Sequence, residues 1–260
     1  MSITAYDTLA PIYDRLGLSK DSEALMPRLY QRIQSRYGWV GRRVMELGSG
    51  TGGNAIWLAH RGLNTLALEQ SGEMIMQARV RTDTLGLGLT WKQHDVRQMK
   101  AQFETTDLVL ALNLFNDFAN LRELELIISS TYNLLEPGRL FVFDMMTIEG
   151  LTELGRHSGE LYSDDRLLVY VTRSYDFDRQ ANTSKFVIFT HNEGLWHRED
   201  AVLVQRGYPV QAIIALLQRT GFVLSGLETS DFVPYDPTTS RGERVIFYAQ
   251  RPASANGASK

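Results

Sequence analysis

Short apolar segments alternate with helical segments across residues 43–146 of this 260-residue chain, and this alternation limits the fold more than any other feature. Five of the apolar segments have the length and composition of buried strands: RRVMEL, NTLALEQ, LTWKQHDV, DLVLALN and RLFVFDMM. The connections between the segments are short. Such a pattern predicts a parallel sheet that is covered by helices on both faces and built with right-handed crossovers.

Local features predict where helices begin and end. Apolar residues spaced four apart predict a helix over residues 20–37, and they are Leu25, Leu29, Ile33 and Tyr37. Ser71 is placed to cap a helix that we expect to end at Gly86. The helix before the fifth strand is expected to end at Glu136, with the Pro-Gly pair 137–138 as a turn.

The pattern changes after residue 146. The segments RLLVYVTRSYDFD, TSKFVIFTHNE and LWHREDAVLVQRGY predict three antiparallel strands that are inserted after the fifth strand. A helix with the sequence PVQAIIALLQRTG follows, and FVLSGLETS and ERVIFYAQR add two strands, for a seven-stranded, mostly parallel sheet. We divide the chain into an N-terminal helical lid segment (1–39), a core (40–150), an inserted antiparallel β unit (151–208), the C-terminal part of the core (209–251) and a disordered tail (252–260).

Composition and charge exclude several classes of partner. The net charge is −3 and the basic residues are scattered, so we expect no nucleic-acid partner. The chain has no run of ~18 apolar residues and no signal-peptide pattern, so we expect no membrane partner. The absence of cysteine fits a reducing compartment, and we expect a cytoplasmic protein. The choice between a monomer and a homodimer stays open.

The stretch VMELGSGTGG, residues 44–53, places glycines in the turn between the first strand and the next helix. Gly48, Gly50 and Gly53 fit the dinucleotide-binding pattern, and Glu69 lies about 20 residues beyond them, where a carboxylate can bind ribose hydroxyls. A P-loop is excluded because no Lys-Ser or Lys-Thr pair follows the glycines. The pattern alone does not identify the ligand.

Two further residues distinguish between ligands. Gly52 extends the loop, and Glu46 lies two residues before its first glycine. A carboxylate at the end of the first strand would repel a pyrophosphate but suits a ligand with an ammonium or sulfonium charge. The loop therefore favours S-adenosyl-L-methionine over NAD. An NAD(P)-dependent oxidoreductase and a non-catalytic adenosine-ligand binding protein remain the alternatives.

Residues 40–146 resemble the class I S-adenosylmethionine-dependent methyltransferases, which have a Rossmann-like fold. The resemblance is carried by VMELGSGTGG, LALEQSGEM, QHDVRQM and LLEPGRLFVFDM, in this order. The segments YDTLAPIYDRL, YDFDRQ and VQRGYPVQAIIALLQRTGF are similar to a small-molecule branch that includes sugar-amine N,N-dimethyltransferases and glycine/sarcosine-type methyltransferases. The chain departs from these relatives at Ala201 and Leu203, where they often carry Glu and His.

The resemblance implies a set of site residues. Glu69 is expected to hold the ribose hydroxyls, Asp95 the adenine amino group, and Val96 to pack on the ring. Asn113 is expected at the methionine end of the cofactor. The full cofactor-binding set is Tyr13, Glu46, Gly48, Gly50, Gly52, Glu69, Gln70, Asp95, Val96 and Asn113. The histidines lack the paired spacing of metal ligands, and no metal is expected.

The acceptor site is expected after the fourth strand, where the sequence reads NLFND. Open α/β sheets bind ligands at the carboxyl ends of their strands, so Asn116 and Asp117 are the candidate catalytic residues that face the acceptor. Asp117 is either a general base or the N-cap of the following helix. The inserted unit carries the aromatic residues Tyr170, Tyr175, Phe177, Phe186, Phe189, Trp196 and Tyr208. Most of them are expected to pack the unit onto the core, and the remainder, with Asn116 and Asp117, would wall a closed pocket. We therefore expect methyl transfer to a nitrogen or oxygen of a small molecule.

Overall fold

The computed structural model describes residues 5–82, 86–99 and 103–253, which form two β-sheets and seven α-helices. The helices are α1 (Ala5–Leu9), α2 (Lys20–Tyr37), α3 (Gly53–Ala59), α4 (Gly72–Val80), α5 (Leu121–Leu134), α6 (Ile148–Leu154) and α7 (Val210–Thr220). The strands are β1 (Arg43–Leu47), β2 (Asn64–Glu69), β3 (Leu89–Gln93), β4 (Thr106–Ala111), β5 (Leu135–Met146), β6 (Gly159–Ser163), β7 (Leu167–Asp176), β8 (Ala181–Asn192), β9 (Leu195–Arg206), β10 (Val223–Thr229) and β11 (Arg244–Gln250).

The larger sheet has seven strands in the order β10-β11-β5-β4-β1-β2-β3. All neighbouring pairs are parallel except those of β11, which is antiparallel to both β10 and β5. This confirms the predicted fold class. Because β1 to β5 run in the same direction, their carboxyl ends meet at one edge of the sheet, and the loops after them can form a common site.

Buried apolar clusters cover both faces of the larger sheet. On one face, α5 and α7 pack against residues such as Phe141 and Phe143. On the other face, α2 packs through Leu29 and Ile33, which are fully buried. The predicted limits of α2 agree with the structure. Its position matters for the site, because its first turn reaches the edge where the strands end.

The smaller sheet is antiparallel with the order β6-β7-β8-β9, and it follows β5 as predicted. It contains four strands rather than three, because residues 159–163 pair with β7. One face of this sheet packs on residues 5–18, here called the N-terminal segment, through Leu9, Ile12 and Leu16. The N-terminal segment thus lies between the smaller sheet and the edge of the larger one.

Two predicted helix ends are wrong. Helix α4 ends at Val80 instead of Gly86, because the amides of Arg81 and Thr82 donate to carbonyl oxygens only three residues earlier, in the turn that closes the helix. Helix α5 ends at Leu134 instead of Glu136. The Pro-Gly pair 137–138 lies inside β5, at an irregularity in its pairing with β4.

Most of the predicted disordered tail, residues 254–260, lies outside the described residues. Within the described ranges, none of the helices combines the length and the hydropathy that crossing a lipid bilayer requires.

Candidate functional site

A cavity of about 230 Å³ opens at the edge of the larger sheet where β1, β2, β3 and β4 end. The loops after these strands line it on one side, and the N-terminal segment and the first turn of α2 line it on the other. Most of the predicted site residues line this cavity: Tyr13, Glu46, Gly48, Gly50, Glu69, Gln70, Val96, Asn113 and Asp117. Gly52, Asp95 and Asn116 are not among the residues that line it.

The glycine loop after β1 lines the cavity with its backbone. Gly50 has φ +55°, and a side chain added there would point into open space, so the left-handed backbone rather than crowding requires glycine. Gly52 has φ +85°, and a Cβ atom there would overlap the ring of Trp91. The loop therefore brings its backbone to the cavity at Gly50, whereas Gly52 is required by packing behind the cavity.

Glu69 at the end of β2 braces the glycine loop. Its Oε2 accepts a 2.9 Å hydrogen bond from the amide of Gly50, and its Oε1 accepts a 2.8 Å bond from the amide of Ser71. Burial raises the pKa of Glu69 above its ordinary value, although these amides oppose the rise. Each carboxylate oxygen can accept a second hydrogen bond, so Glu69 retains capacity for a ligand hydroxyl.

The floor of the cavity contains buried polar atoms without hydrogen-bond partners. Glu46 is only 3% exposed, and its Oε2 has no hydrogen-bond partner. Oγ of Ser49 and Oδ1 of Asn54 are also buried without a partner. Burial raises the pKa of Glu46 to about 8, and the side chain of Asn54 only partly opposes this. Buried polar groups are normally satisfied because leaving them unpaired is costly. The floor is therefore built for a ligand that carries hydrogen-bond donors.

The N-terminal segment is tied to the loops that it covers. The hydroxyl of Ser71 donates to Oδ1 of Asp7 at 2.6 Å, and the hydroxyl of Thr51 donates to Oδ1 of Asp14 at 2.7 Å. Oδ2 of Asp14 also pairs with Arg81 at 3.2 Å. These bonds join the segment to the glycine loop and to α4, so the cavity is closed on this side.

Asp117 lies in the cavity wall beyond β4. Its Oδ2 accepts a 2.5 Å hydrogen bond from the hydroxyl of Tyr6, and its Oδ1 accepts a 3.3 Å bond from Gln205 of β9. Burial raises the pKa of Asp117 to about 6, and both hydrogen bonds oppose the rise. Asp117 is not the N-cap of α5, because Asn120 caps that helix by accepting from the amide of Glu123. The N-cap alternative is thereby excluded, and the general-base alternative stays a prediction.

Asn116 does not face an acceptor, contrary to the expectation from sequence. Its Nδ2 donates to the carbonyl oxygens of Met146 and Arg206, and its Oδ1 accepts from the amide of Met146. The side chain is 4% exposed, and these backbone groups use both of its N–H donors as well as its oxygen. Asn116 therefore connects the loop after β4 with the ends of β5 and β9.

Asp95 also differs from the expectation. Its Oδ1 accepts from the amide of Arg97, and both carboxylate oxygens accept from the guanidinium of Arg97. Partial burial alone would raise the pKa of Asp95, but the bonds from Arg97 lower it below its ordinary value. The carboxylate is engaged beside the cavity rather than lining it, whereas Val96 is buried and lines it.

Asn113 lines the cavity, and Asp144 and Arg244 hold it in place. Its φ is +56°, and its amide donates to Oδ1 of Asp144 at 2.7 Å. Arg244 of β11 donates to Oδ1 of Asn113 and to Oδ2 of Asp144. A second cavity of about 320 Å³ lies on the side of Asp144 and Arg244, and Ser22 lines both cavities.

The aromatic residues of the inserted unit do not wall either cavity. Side chains of a strand alternate between its two faces, and the inner face of the smaller sheet is occupied by the N-terminal segment. Phe186 is buried there, whereas Phe177 is 74% exposed and Trp196 is 51% exposed. Tyr208 is buried and donates to the carbonyl oxygen of Phe118. Packing, which was expected for most of these residues, accounts for Phe186 and Tyr208, whereas the expectation that the remainder wall an acceptor pocket was wrong.

Comparisons with known proteins relate the chain to methyltransferases. Residues 44–138, from β1 to the start of β5, match a family model described as a methyltransferase domain. The chain is 24% identical over 250 residues to "Putative methyltransferase YqeM" of Bacillus subtilis (strain 168). The alignment covers 95% of this chain and 97% of that relative.

Two solved structures share the fold. An S-adenosylmethionine-dependent methyltransferase from Clostridium acetobutylicum ATCC 824 superposes with a TM-score of 0.78 at 19% identity, covering 95% of this chain and 99% of that chain. The sugar N-methyltransferase KedS8 from Streptoalloteichus sp ATCC 53650 superposes with a TM-score of 0.71 at 16% identity, covering 87% and 86% of the two chains.

Proposed function

We propose that this protein, an S-adenosylmethionine-dependent methyltransferase, transfers the methyl group to a nitrogen or oxygen atom of a small-molecule acceptor, with nitrogen preferred. The motifs of the sequence, the matched domain and the fold all agree on this class of enzyme. The observation that carries the proposal is the cavity, which brings the glycine loop, Glu46, Glu69 and Asp117 together at the ends of the parallel strands.

The residues of the cavity fit the cofactor, S-adenosyl-L-methionine. The unpartnered oxygens of Glu46 and Asn54 match a ligand with a cationic amino group. Glu69 would hold the ribose hydroxyls in addition to the amides that it already binds, and Val96 would pack on the adenine ring. When ionised, Glu46 would repel the pyrophosphate of a nicotinamide dinucleotide, whereas the positive charge of S-adenosylmethionine would favour that ionisation, which argues against the oxidoreductase alternative.

The chain contributes chiefly by position and by exclusion of water. S-adenosylmethionine supplies a methyl group on a positively charged sulfur, which a nitrogen or oxygen nucleophile can attack in line. The N-terminal segment covers the cavity and keeps water from the reacting atoms. Asp117 would accept the proton that the acceptor loses, because its carboxylate is ionised at neutral pH and faces the cavity.

A small acceptor is supported by the closure of the site. A polymer needs an open groove, whereas this cavity is covered by a segment that is bonded to the glycine loop and to α4. Carboxylates are also prominent in the lining, which is unfavourable for a polyanion. The preference for nitrogen rests on the resemblance to the sugar-amine branch, and KedS8, a sugar N-methyltransferase, shares the fold.

The proposal is tested by incubating the protein with methyl-labelled S-adenosylmethionine and a panel of small amines, phenols and sugars, beside tRNA and duplex DNA. We expect label transfer to members of the small-molecule panel and none to the nucleic acids. Asp117→Asn is the matched control, because it keeps the shape of the site but removes the proton acceptor. Robust transfer to tRNA or DNA, with none to the small molecules, would overturn the proposal.

A further inference from the structure

Glu23 is a carboxylate at the candidate site that no motif predicted. It lies in the first turn of α2 and lines the cavity. Its Oε1 is buried and has no hydrogen-bond partner. A methyl group added to Gly53, at the end of the glycine loop, would overlap this same oxygen. The carboxylate of Glu23 is therefore seated directly against the glycine loop, on the opposite side of the cavity from the strand ends.

Glu23 and Glu46 line the same cavity and are close enough for their charges to interact. The charge of Glu23 acts on the buried carboxyl of Glu46 and disfavours its ionisation. Together with Ser49 and Asn54, the two residues present four buried oxygens that lack hydrogen-bond partners. An ionised carboxylate and an amide oxygen only accept hydrogen bonds, whereas the hydroxyl of Ser49 can also donate, so with both carboxyls ionised three of the four oxygens require donors.

Arg81 forms an ion pair with Glu23 but supplies no hydrogen bond to it. The nearest cationic group to Glu23 in the described chain is the guanidinium of Arg81, whose Nη1 lies 4.0 Å from Oε1, beyond hydrogen-bond distance. Nη1 of Arg81 already donates to Asp14 and to the carbonyl oxygen of Thr51. Glu69 adds a further negative charge near Glu46. The cluster therefore favours a ligand group that is cationic and carries several N–H donors.

We propose that Glu23 and Glu46 together bind the α-amino group of the methionine part of S-adenosylmethionine. This inference rests on the proposed function, because it assigns a role toward that cofactor. An ammonium group has three N–H donors and a positive charge, and it would satisfy oxygens of both carboxylates while reducing their mutual repulsion. Since Glu23 belongs to α2, cofactor binding would also fix the first turn of that helix over the glycine loop.

The test compares two ligands that differ at the amino acid. S-adenosylhomocysteine carries the amino group, whereas 5′-methylthioadenosine keeps the nucleoside and the sulfur but lacks it. Calorimetric titration of Glu23→Gln should show an affinity for S-adenosylhomocysteine that is lower by about tenfold or more, with an unchanged affinity for 5′-methylthioadenosine. Asp21→Asn, which removes the same charge from an exposed position of the same turn, should change neither affinity.

A second measurement uses the wild-type protein alone and does not depend on whether the variant folds. An analogue of S-adenosylhomocysteine in which hydrogen replaces the α-amino group should bind about tenfold or more weakly than the parent compound. Equal affinity of the wild type for the parent compound and the analogue would overturn the assignment of Glu23. So would an equal loss of affinity for S-adenosylhomocysteine and for 5′-methylthioadenosine in Glu23→Gln. Failure of the wild type to bind S-adenosylhomocysteine would instead contradict the proposed function itself.

Discussion

The hydroxyl of Tyr6 donates a 2.5 Å hydrogen bond to Oδ2 of Asp117, across 111 residues of the chain. The bond joins the first described helix to the loop after β4, and Gln205 supplies a second, longer bond to the other carboxylate oxygen. The same contact therefore helps to hold the N-terminal segment over the cavity and orients the candidate proton acceptor.

Removing the carboxylate of Asp117 should affect turnover more than cofactor binding. We expect Asp117→Asn to lower kcat by about 10²-fold or more, because general bases typically contribute that much. The affinity for S-adenosylhomocysteine should change little. Steady-state kinetics with calorimetry measures both quantities. An unchanged kcat in a folded variant would show that Asp117 takes no part in proton transfer.

The pH dependence of the wild type and Tyr6→Phe tests the contact with Tyr6. Burial raises the pKa of Asp117 to about 6, so kcat/KM should fall as the pH drops through this value and the carboxylate becomes protonated. The hydrogen bond from Tyr6 lowers that pKa, so Tyr6→Phe should move the fall to higher pH. Tyr170→Phe, at a half-exposed tyrosine of the smaller sheet, is the control and should keep the wild-type profile.

Glu69→Ala should weaken the binding of S-adenosylhomocysteine by about 1.5 to 3 kcal/mol for each ribose hydrogen bond that is lost. The variant also removes the acceptor for the amides of Gly50 and Ser71, so its stability should be measured alongside. An analogue with a deoxyribose separates the two effects, because its affinity should be less sensitive to the substitution. A folded variant with unchanged affinity for the parent compound would contradict the assignment.

Glu46 should make the ligand-free protein less stable as the pH rises. Burial raises its pKa from 4.5 to about 8, so between these values the folded state binds a proton that the unfolded state has lost. The free energy of unfolding therefore falls with rising pH over this window. Glu46→Gln should reduce the fall, to which Glu69 and Asp117 also contribute, and stabilise the protein by about 1 to 3 kcal/mol at pH 8, with no gain near pH 4.5. Urea denaturation at several pH values measures the free energy of unfolding of both proteins. The same dependence on pH in the wild type and in Glu46→Gln would contradict the prediction.

Asn116→Ala should reduce stability without altering the site. The substitution leaves backbone groups of Met146 and Arg206 without a partner, at a cost of about 2 to 4 kcal/mol in the free energy of unfolding. The affinity for S-adenosylhomocysteine and the KM for an acceptor should stay close to the wild type at a temperature where the variant is folded. A variant with wild-type stability but reduced activity would instead support the original expectation that Asn116 faces the acceptor.

The residues that the sequence located well are those whose roles follow from local geometry. The glycine loop and Glu69 are recognised because a strand, a turn and a helix fix their spacing, and the stripe of α2 gives that helix its limits. The neighbouring residues 116 and 117 show where such reasoning stops. Both belong to one 3₁₀ turn, where successive side chains point about 120° apart. Asn116 therefore contacts the backbone of β5 and β9, whereas Asp117 lines the cavity.

Tertiary contacts decide the remaining residues. Glu23 lies in a helix that precedes the core, and only the packing of α2 brings it against the glycine loop. The carboxylate of Asp95 is engaged by Arg97 two residues later, which the motif alone does not reveal. The aromatic residues of the inserted unit suggested a pocket, but the inner face of that sheet is filled by the N-terminal segment.

Calorimetric titration of the wild-type protein with S-adenosylhomocysteine and, separately, with NAD tests the central claim most directly. We expect saturable binding of S-adenosylhomocysteine, which at a hundredfold excess over its Kd would stabilise the fold by about 2.7 kcal/mol, and no comparable binding of NAD. Saturable binding of NAD with no binding of S-adenosylhomocysteine would contradict the claim that this cavity holds the methyl donor.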